Sequence, residues 1–197
     1  MLYSLLLAGG RSARMGRDKS SLEHDGKTRL EHALSLLQDT GADHILLSGN
    51  VPGLDSLPDR IPDCGPLGGL HAALHHIDEQ GALDKSLLLI IPIDMPRLDS
   101  ATLLRLDQAI GSASSCRYDG EVFPCVFKAS HALMTHLDNL LAESTTLGGK
   151  RSMKALLALG ESRALPRDGL PDGVFDNLNT PEDWQAFLAT RRDPRRE

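Results

Sequence analysis

The chain has 197 residues, with 21 Lys and Arg against 27 Asp and Glu for a net charge of −6, and it is 41% hydrophobic and 24% charged. That is ordinary globular composition at about the size of one domain, which excludes wholesale disorder. An acidic chain with four Phe, two Tyr and one Trp has neither the field of a duplex binder nor a stacking platform for single strands, so no nucleic-acid partner is expected.

Uninterrupted apolar runs such as Leu87 to Ile91 fall far short of the roughly 20 residues of a membrane span, and no membrane partner is expected. Met1 to Gly10 carries no basic n-region ahead of its apolar stretch, which argues against a signal peptide and for the cytoplasm. Cys64, Cys116 and Cys125 form no CxxC pair and no zinc-type spacing, so reduced, partly buried thiols are expected.

In chain order, Tyr3 to Leu7 reads as a buried strand running into Ala8-Gly9-Gly10. Arg29 to Gln38 reads as a helix with Leu30, Ala33, Leu34 and Leu37 on one face, and His44 to Ser48 as a second strand. Gly65-Pro66-Leu67-Gly68-Gly69 opens a helix through about Ile77. Ser86 to Ile93, the most apolar segment, has the character of a central parallel strand closed by Asp94-Met95-Pro96. Leu103 to Ile110 is helical, and Ser114 to Tyr118 with Val122 to Lys128 forms a hairpin. A two-residue turn at Asp119-Gly120 would set position 116 opposite 123, so Cys116 and Cys125 would not face each other. Further helices fall near Ala129 to Ala142 and Ser152 to Leu159. The last helix has Thr180 as N-cap, Pro181 at its first position, and Glu182 and Asp183 in its first turn. Alternating strands and helices imply an α/β fold, a three-layer αβα arrangement with a mostly parallel central sheet. One domain is expected over residues 1–190, with 191–197 a frayed, solvated tail.

The densest feature is Leu7-Ala8-Gly9-Gly10-Arg11-Ser12-Ala13-Arg14-Met15-Gly16-Arg17-Asp18-Lys19, where a buried strand delivers glycines and then four cations. Glycines let backbone N–H groups approach an anion and the cations neutralise it, the chemistry of a triphosphate cradle. The alternative is a turn with a solvated basic face. The loop is neither Walker A, since no Gly-Lys-Ser/Thr follows, nor GxGxxG, since Arg11 takes the second glycine position.

This pattern, LAGG-x-S-x-RMG-x-DK, resembles the signature of nucleotidyltransferases with a Rossmann-like fold, and LAGGRSARMGRDK is close to the version in the molybdenum cofactor guanylyltransferases. Three further matches follow in order. Gly65-Pro66-Leu67-Gly68-Gly69 resembles that family's GPLAG loop, and Pro92-Ile93-Asp94-Met95-Pro96 its P-C-D-x-P strand end. Asn177-Leu178-Asn179-Thr180-Pro181-Glu182 resembles its N-x-N-T-P-E motif. The resemblance implies transfer of GMP from GTP to molybdopterin or the molybdenum cofactor, with release of pyrophosphate and with magnesium (Mg2+) as cofactor. It also implies acceptor molybdoenzymes and an adaptor protein as partners. Leu7, Ala8, Gly9, Gly10, Lys19, Asp63 and Asp94 would contact nucleotide, Lys19, Arg14 and Asp94 would serve catalysis, and Asp94 would hold the metal. Asn177 and Asn179 would lie at the pterin end.

Each assignment has a plainer competitor. Asp94 could cap the next helix, although Asp99 or Ser100 is better placed for that, and a lone carboxylate suffices for magnesium when phosphates supply further ligands. Asp63 could accept guanine's paired donors or be a turn residue after Pro62. Ser48 stands where the family commonly has asparagine, near Asn50, and Val122-Phe123-Pro124-Cys125 departs from the family's H-P-rich pattern. His71 and His75 are spaced i, i+4 on a helix, but no HExxH and no third ligand accompanies them in sequence, so satisfied helix residues are the expectation. No GxSxG elbow is present. The rival activities are a sister nucleotidyltransferase, using CTP or acting on a sugar or polyol phosphate, and a non-catalytic nucleotide-binding adaptor.

Overall fold

The computed structural model describes residues 1–9, 22–49, 51, 53–143 and 152–191. Its elements run β1 (Leu2–Leu7), β2 (Glu23–His24), β3 (Lys27–Thr28), α1 (Arg29–Asp39), β4 (His44–Ser48), α2 (Pro66–Glu79) and β5 (Ser86–Pro92). There follow α3 (Ser100–Ala109), β6 (Ser115–Tyr118), β7 (Cys125–Ala129), α4 (His131–Glu143), α5 (Met153–Leu157), β8 (Ser162–Leu165) and α6 (Pro181–Arg191). Six strands form one sheet in the order β4-β1-β5-β7-β6-β8. Only β7 runs against its neighbours; β4, β1 and β5 pair in parallel, as do β6 and β8.

The alternation of side chains along a strand separates two cores. Leu5, Leu7, Leu88 and Ile90 face one side, where they meet Leu67, Leu70, Leu74 and Ile77 of α2 and Leu137 and Leu141 of α4. Leu6, Leu89 and Ile91 face the other, against Leu37 of α1 and Leu103 and Leu106 of α3. Both faces are covered, which is why β1 and β5 read as continuous apolar runs. A third, smaller cluster of Leu178, Trp184 and Phe187 holds α6.

Local chemistry sets the helix starts. Thr28 and Glu31 form a capping box on α1: the Thr28 hydroxyl accepts from the Glu31 N–H at 3.1 Å and the Glu31 carboxylate accepts from the Thr28 N–H at 2.7 Å. On α6 the Thr180 hydroxyl accepts from the Asp183 N–H at 3.1 Å. The Asp183 carboxylate in turn accepts from the N–H groups of Asn179 and Thr180 at 3.0 and 2.9 Å.

The structure departs from the sequence reading in the β6–β7 connection and in two added features, and agrees with it on the cysteines. The β6–β7 connection is not a two-residue turn: residues 119–124 form it, with Phe123–Pro124 in cis, and Cys116 lies opposite Val126 rather than 123. Cys64, Cys116 and Cys125 are all free and buried, and burial pushes the Cys125 thiol up, well above its ordinary range. The β2–β3 hairpin and the edge strand β8 are additions. Expected tail residues 192–197 lie outside the described residues.

Candidate active site

Parallel pairing brings the carboxyl ends of β4, β1 and β5 to one edge, with Ser48 and Pro92 flanking Leu7. The Ile93 N–H donates to the Leu7 carbonyl at 3.1 Å, extending the β1–β5 join into the loops. On the other side the N–H groups of Ala8 and Gly9 both donate to the Ser48 carbonyl, at 2.9 and 3.0 Å. These two amides therefore lock the loop onto β4. Gly9 is needed for a different reason. A Cβ there would stand 3.0 Å from the Gly49 Cα, and one on Gly49, at φ +111°, would stand 2.4 Å from the Gly9 nitrogen, so the two backbones pass closer than any side chain permits.

Beyond this crossing lies a cavity of about 650 Å³ lined by Leu7, Gly9, Ser48, Gly49, Asp59, Asp63, Gly65 and Pro66. The N-terminus of α2 opens onto it, with Pro66 as its first residue and no acidic side chain in its first turn, so the positive end of the helix dipole is unopposed by a helix carboxylate. Asp63 and Gly65 both take left-handed backbone, at φ +59° and +55°, to turn the chain sharply into the helix. Gly69 lets α2 come this close: a Cβ on it would fall 2.3 Å from the Ser48 Oγ. Partial burial pushes the Asp59 carboxyl up, while His71 pulls it the other way.

Asp94 follows β5 at the same edge but does not line that cavity. Its backbone carbonyl accepts from the Leu178 N–H at 2.8 Å, which sets the segment carrying Asn177 and Asn179 beside it. Both asparagines are exposed. Capping does not account for Asp94, because Asp99 does that work: its Oδ1 accepts from the Thr102 N–H at 2.7 Å at the start of α3. The expected residues thus fall into two groups. Leu7, Gly9 and Asp63 share one cavity, with Ala8 adjoining it along the chain, and Asp94 meets the Asn177–Asn179 segment next to it. Gly10, Arg14, Lys19 and Asn50 lie outside the described residues.

Arg29 was invisible as a site residue in the sequence, where it only opens a helix. It is 2% exposed, it stacks over the Trp184 ring at 5.1 Å, and its Nη1 donates to the Leu178 carbonyl at 3.5 Å. Burial pulls its pKa down and the Asp94 carboxylate holds it up. Among the described residues, its Nε and Nη2 have no hydrogen-bond partner. A second cavity of about 310 Å³ reaches Arg29 between α1 and the β5–α3 connection, where Ile93 and Met95 flank Asp94. The histidine pair is hydrogen-bonded, as expected of satisfied helix residues, but through a partner the sequence did not mark. Asp138 of α4, distant in sequence, supplies the missing third group, with its Oδ1 at 2.9 Å from His71 Nε2 and 3.0 Å from His75 Nε2.

This architecture, a parallel-strand edge with a glycine crossing, a helix N-terminus and an acidic strand end, is matched by known proteins. Residues 4–164 fit the model of the MobA-like NTP transferase domain. A molybdenum cofactor guanylyltransferase from Xanthomonas euvesicatoria is 32% identical over 189 residues, covering 96% of this chain and 95% of its own. The solved molybdopterin-guanine dinucleotide biosynthesis protein A of Archaeoglobus fulgidus superposes with a TM-score of 0.65 at 18% identity, over 96% of this chain and 98% of that one. The Rv0371C protein of Mycobacterium tuberculosis, solved as a complex with manganese, superposes with a TM-score of 0.65 at 22% identity, over 96% and 98%. The chain belongs to the MobA-like NTP transferase family, within the group of the molybdenum cofactor guanylyltransferases, and is a nucleotidyltransferase.

Proposed function

We propose that this enzyme transfers GMP from GTP to the terminal phosphate of molybdopterin or its molybdenum-loaded form, making the guanine dinucleotide cofactor and releasing pyrophosphate. The observation that carries the reading is the shared edge: the cavity at the α2 N-terminus and the Asp94–Leu178 junction lie on adjoining parallel strands. In α/β sheets this edge is where ligands bind. The attacking group is an ionised phosphate oxygen, so the reaction needs no strong general base and no covalent enzyme intermediate. It needs in-line positioning and neutralisation of charge on the α-phosphate and the leaving pyrophosphate.

In this reading the α2 N-terminus attracts the phosphates, and the Asp63 carboxylate accepts from guanine's ring N–H and amino group. Arg14 and Lys19 supply cations to the triphosphate. Asn177 and Asn179 offer amides to the polar pterin. Arg29, held against Trp184, is a positioning residue that places positive charge behind Asp94. The residues present suit magnesium: Asp94 offers a hard carboxylate whose Oδ1 is fully buried at the strand end. When bound, a divalent ion supplies charge neutralisation between phosphates. The whole of residues 1–190 acts as one unit, and the reaction takes place in the cytoplasm. Among the described residues no helix is long and apolar enough to cross a membrane.

The test is incubation with molybdopterin, magnesium and each nucleoside triphosphate in turn, with the products identified by mass. GTP should give the guanine dinucleotide and one pyrophosphate. A cytosine dinucleotide would overturn the choice of base, and nucleotide binding without turnover would make the chain an adaptor. Asp94→Asn should lower turnover roughly a hundredfold or more while melting as wild type, because the amide keeps the shape and loses the charge. A well-folded Asp94→Asn protein with normal pyrophosphate release removes Asp94 from the chemistry.

A further inference from the structure

Between α2 and α4 the structure assigns a site of different chemistry: we propose that His71, His75 and Asp138 bind a divalent transition ion of the zinc class. Residues four apart on a helix stand one above the other, so α2 presents both imidazoles to one point. Asp138 of α4 reaches that point from across the helix pair. The three ligand atoms all lie within 4.8 Å of one another. In a tetrahedral site with bonds of about 2.0–2.1 Å, ligand atoms stand about 3.3 Å apart. The observed separations of Asp138 Oδ1 from the two Nε2 atoms, 2.9 and 3.0 Å, lie close to that value, and the imidazole nitrogens stand within 4.8 Å of each other.

The donor set selects the class. Two imidazole nitrogens and one carboxylate oxygen suit zinc, cobalt and nickel, whereas magnesium and calcium prefer oxygen alone. Exposure is graded across the cluster, with the His71 side chain 6% exposed, His75 24% and Asp138 41%. The inner wall is therefore closed, and the outer face leaves room for water as the fourth ligand. The protonation states also fit. Burial holds His71 below its ordinary pKa, opposed by the Asp138 hydrogen bond, which favours the neutral ring that a metal requires. Desolvation pushes the Asp138 carboxyl up, but its hydrogen bonds to the two histidines outweigh this and keep it below the ordinary range.

The His71 Nδ1 is buried with no hydrogen-bond partner among the described residues, so the ring hydrogen-bonds through Nε2 alone. An ion bound there would take the Nε2 lone pair and leave the single ring proton on Nδ1. His71 also acts on the carboxyl of Asp59, which lines the nucleotide cavity. An ion here would also tie α2 to α4, steadying the helix whose N-terminus opens that cavity. The site stands apart from the reaction proposed above and from Asp94.

The experiment uses the full chain, freed of metal by chelation and dialysis, with no nucleotide or magnesium present. Titration with zinc chloride followed by calorimetry should show one saturable equivalent in the micromolar range or tighter, with a zinc-dependent rise in Tm. Cobalt chloride should give visible absorption bands of a four- or five-coordinate ion. His75→Ala and Asp138→Ala, both at partly exposed positions, should keep the metal-free Tm and weaken zinc by about a hundredfold or more, since loss of mere supporting groups already costs 10–100-fold. Asp94→Asn should bind zinc as wild type. No saturable zinc binding, equal affinity in the two ligand variants, or loss of the equivalent in Asp94→Asn would each overturn the assignment.

Discussion

Replacing Gly69 by alanine tests how α2 is seated. A Cβ at this position would stand 2.3 Å from the Ser48 Oγ, 2.8 Å from the Ser48 Cβ and 3.0 Å from the Leu7 Cδ2. The hydroxyl and the leucine methyl can rotate away, but the Ser48 Cβ is fixed to a strand paired with β1, and its carbonyl holds Ala8 and Gly9. Carbon atoms pack at about 3.5–4.0 Å, so α2 must retreat by roughly 0.7 Å or more. Overpacking of this kind costs about 1–3 kcal/mol. Alanine's better helix propensity returns about 1 kcal/mol, leaving a net loss of up to about 2 kcal/mol. For a chain of this length that lowers Tm by up to roughly 8 °C. Urea unfolding gives the equilibrium value, and nucleotide titration should show weaker binding, because Gly65 and Pro66 move with the helix. The decisive comparison is a double-mutant cycle with Ser48→Gly. In that background the obstacle is gone, and Gly69→Ala should be neutral or stabilising. If the change costs the same in both backgrounds, or nothing in either, the close approach of α2 to β4 does not account for the glycine.

Asp99→Ala should cost about 1 kcal/mol by removing the α3 cap, yet leave nucleotide transfer intact; a fall in turnover comparable to that of Asp94→Asn would mean that Asp99 shares the chemistry. His131 has its pKa raised, chiefly by its hydrogen bond to Asp84. Its folded pKa lies above the unfolded one, so the stability it contributes is complete below about pH 6.5 and is lost as pH rises through the folded value. His131→Ala should remove that portion of the slope in the urea midpoint as pH rises above about 6.5, and an unchanged slope would refute the pairing.

The fold was readable where periodicity and punctuation agree. β1 and β5 announce themselves as apolar runs because both faces are covered, and α6 because Thr180, Pro181 and Asp183 encode its start. β8 was missed because a partly exposed edge strand, Ser-Arg-Ala-Leu, buries too little to leave an alternating pattern. The Asp25-Gly26 turn was a usable signal for β2–β3, with both residues at positive φ, but strands of two residues carry no pattern of their own. At the site, motif order marked Gly9 and Asp94 as candidates, since these features are local in sequence, whereas Gly49, which Gly9 crosses, carried no such mark. Arg29 and Asp138 were not legible, because their partners Leu178, Trp184, His71 and His75 are remote in the chain and only tertiary packing brings them together. The join of Ala8 and Gly9 to Ser48 was hidden for a related reason: the sequence marks a tight loop but not which carbonyl will claim its donors.

The junction of Asp94, Leu178 and Arg29 has a consequence for the order of events during synthesis. Domains form from the N-terminus as the chain emerges from the ribosome. β1, β4, β5 and α2 can assemble with the nucleotide cavity before the last part of the chain has been made. Arg29, however, finds the Leu178 carbonyl and the Trp184 ring only when the final helix arrives. Until then a guanidinium beside Asp94 faces water rather than protein. That edge is therefore completed last, and a nascent or C-terminally clipped chain would hold the cavity at the α2 N-terminus without the finished strand end beside it.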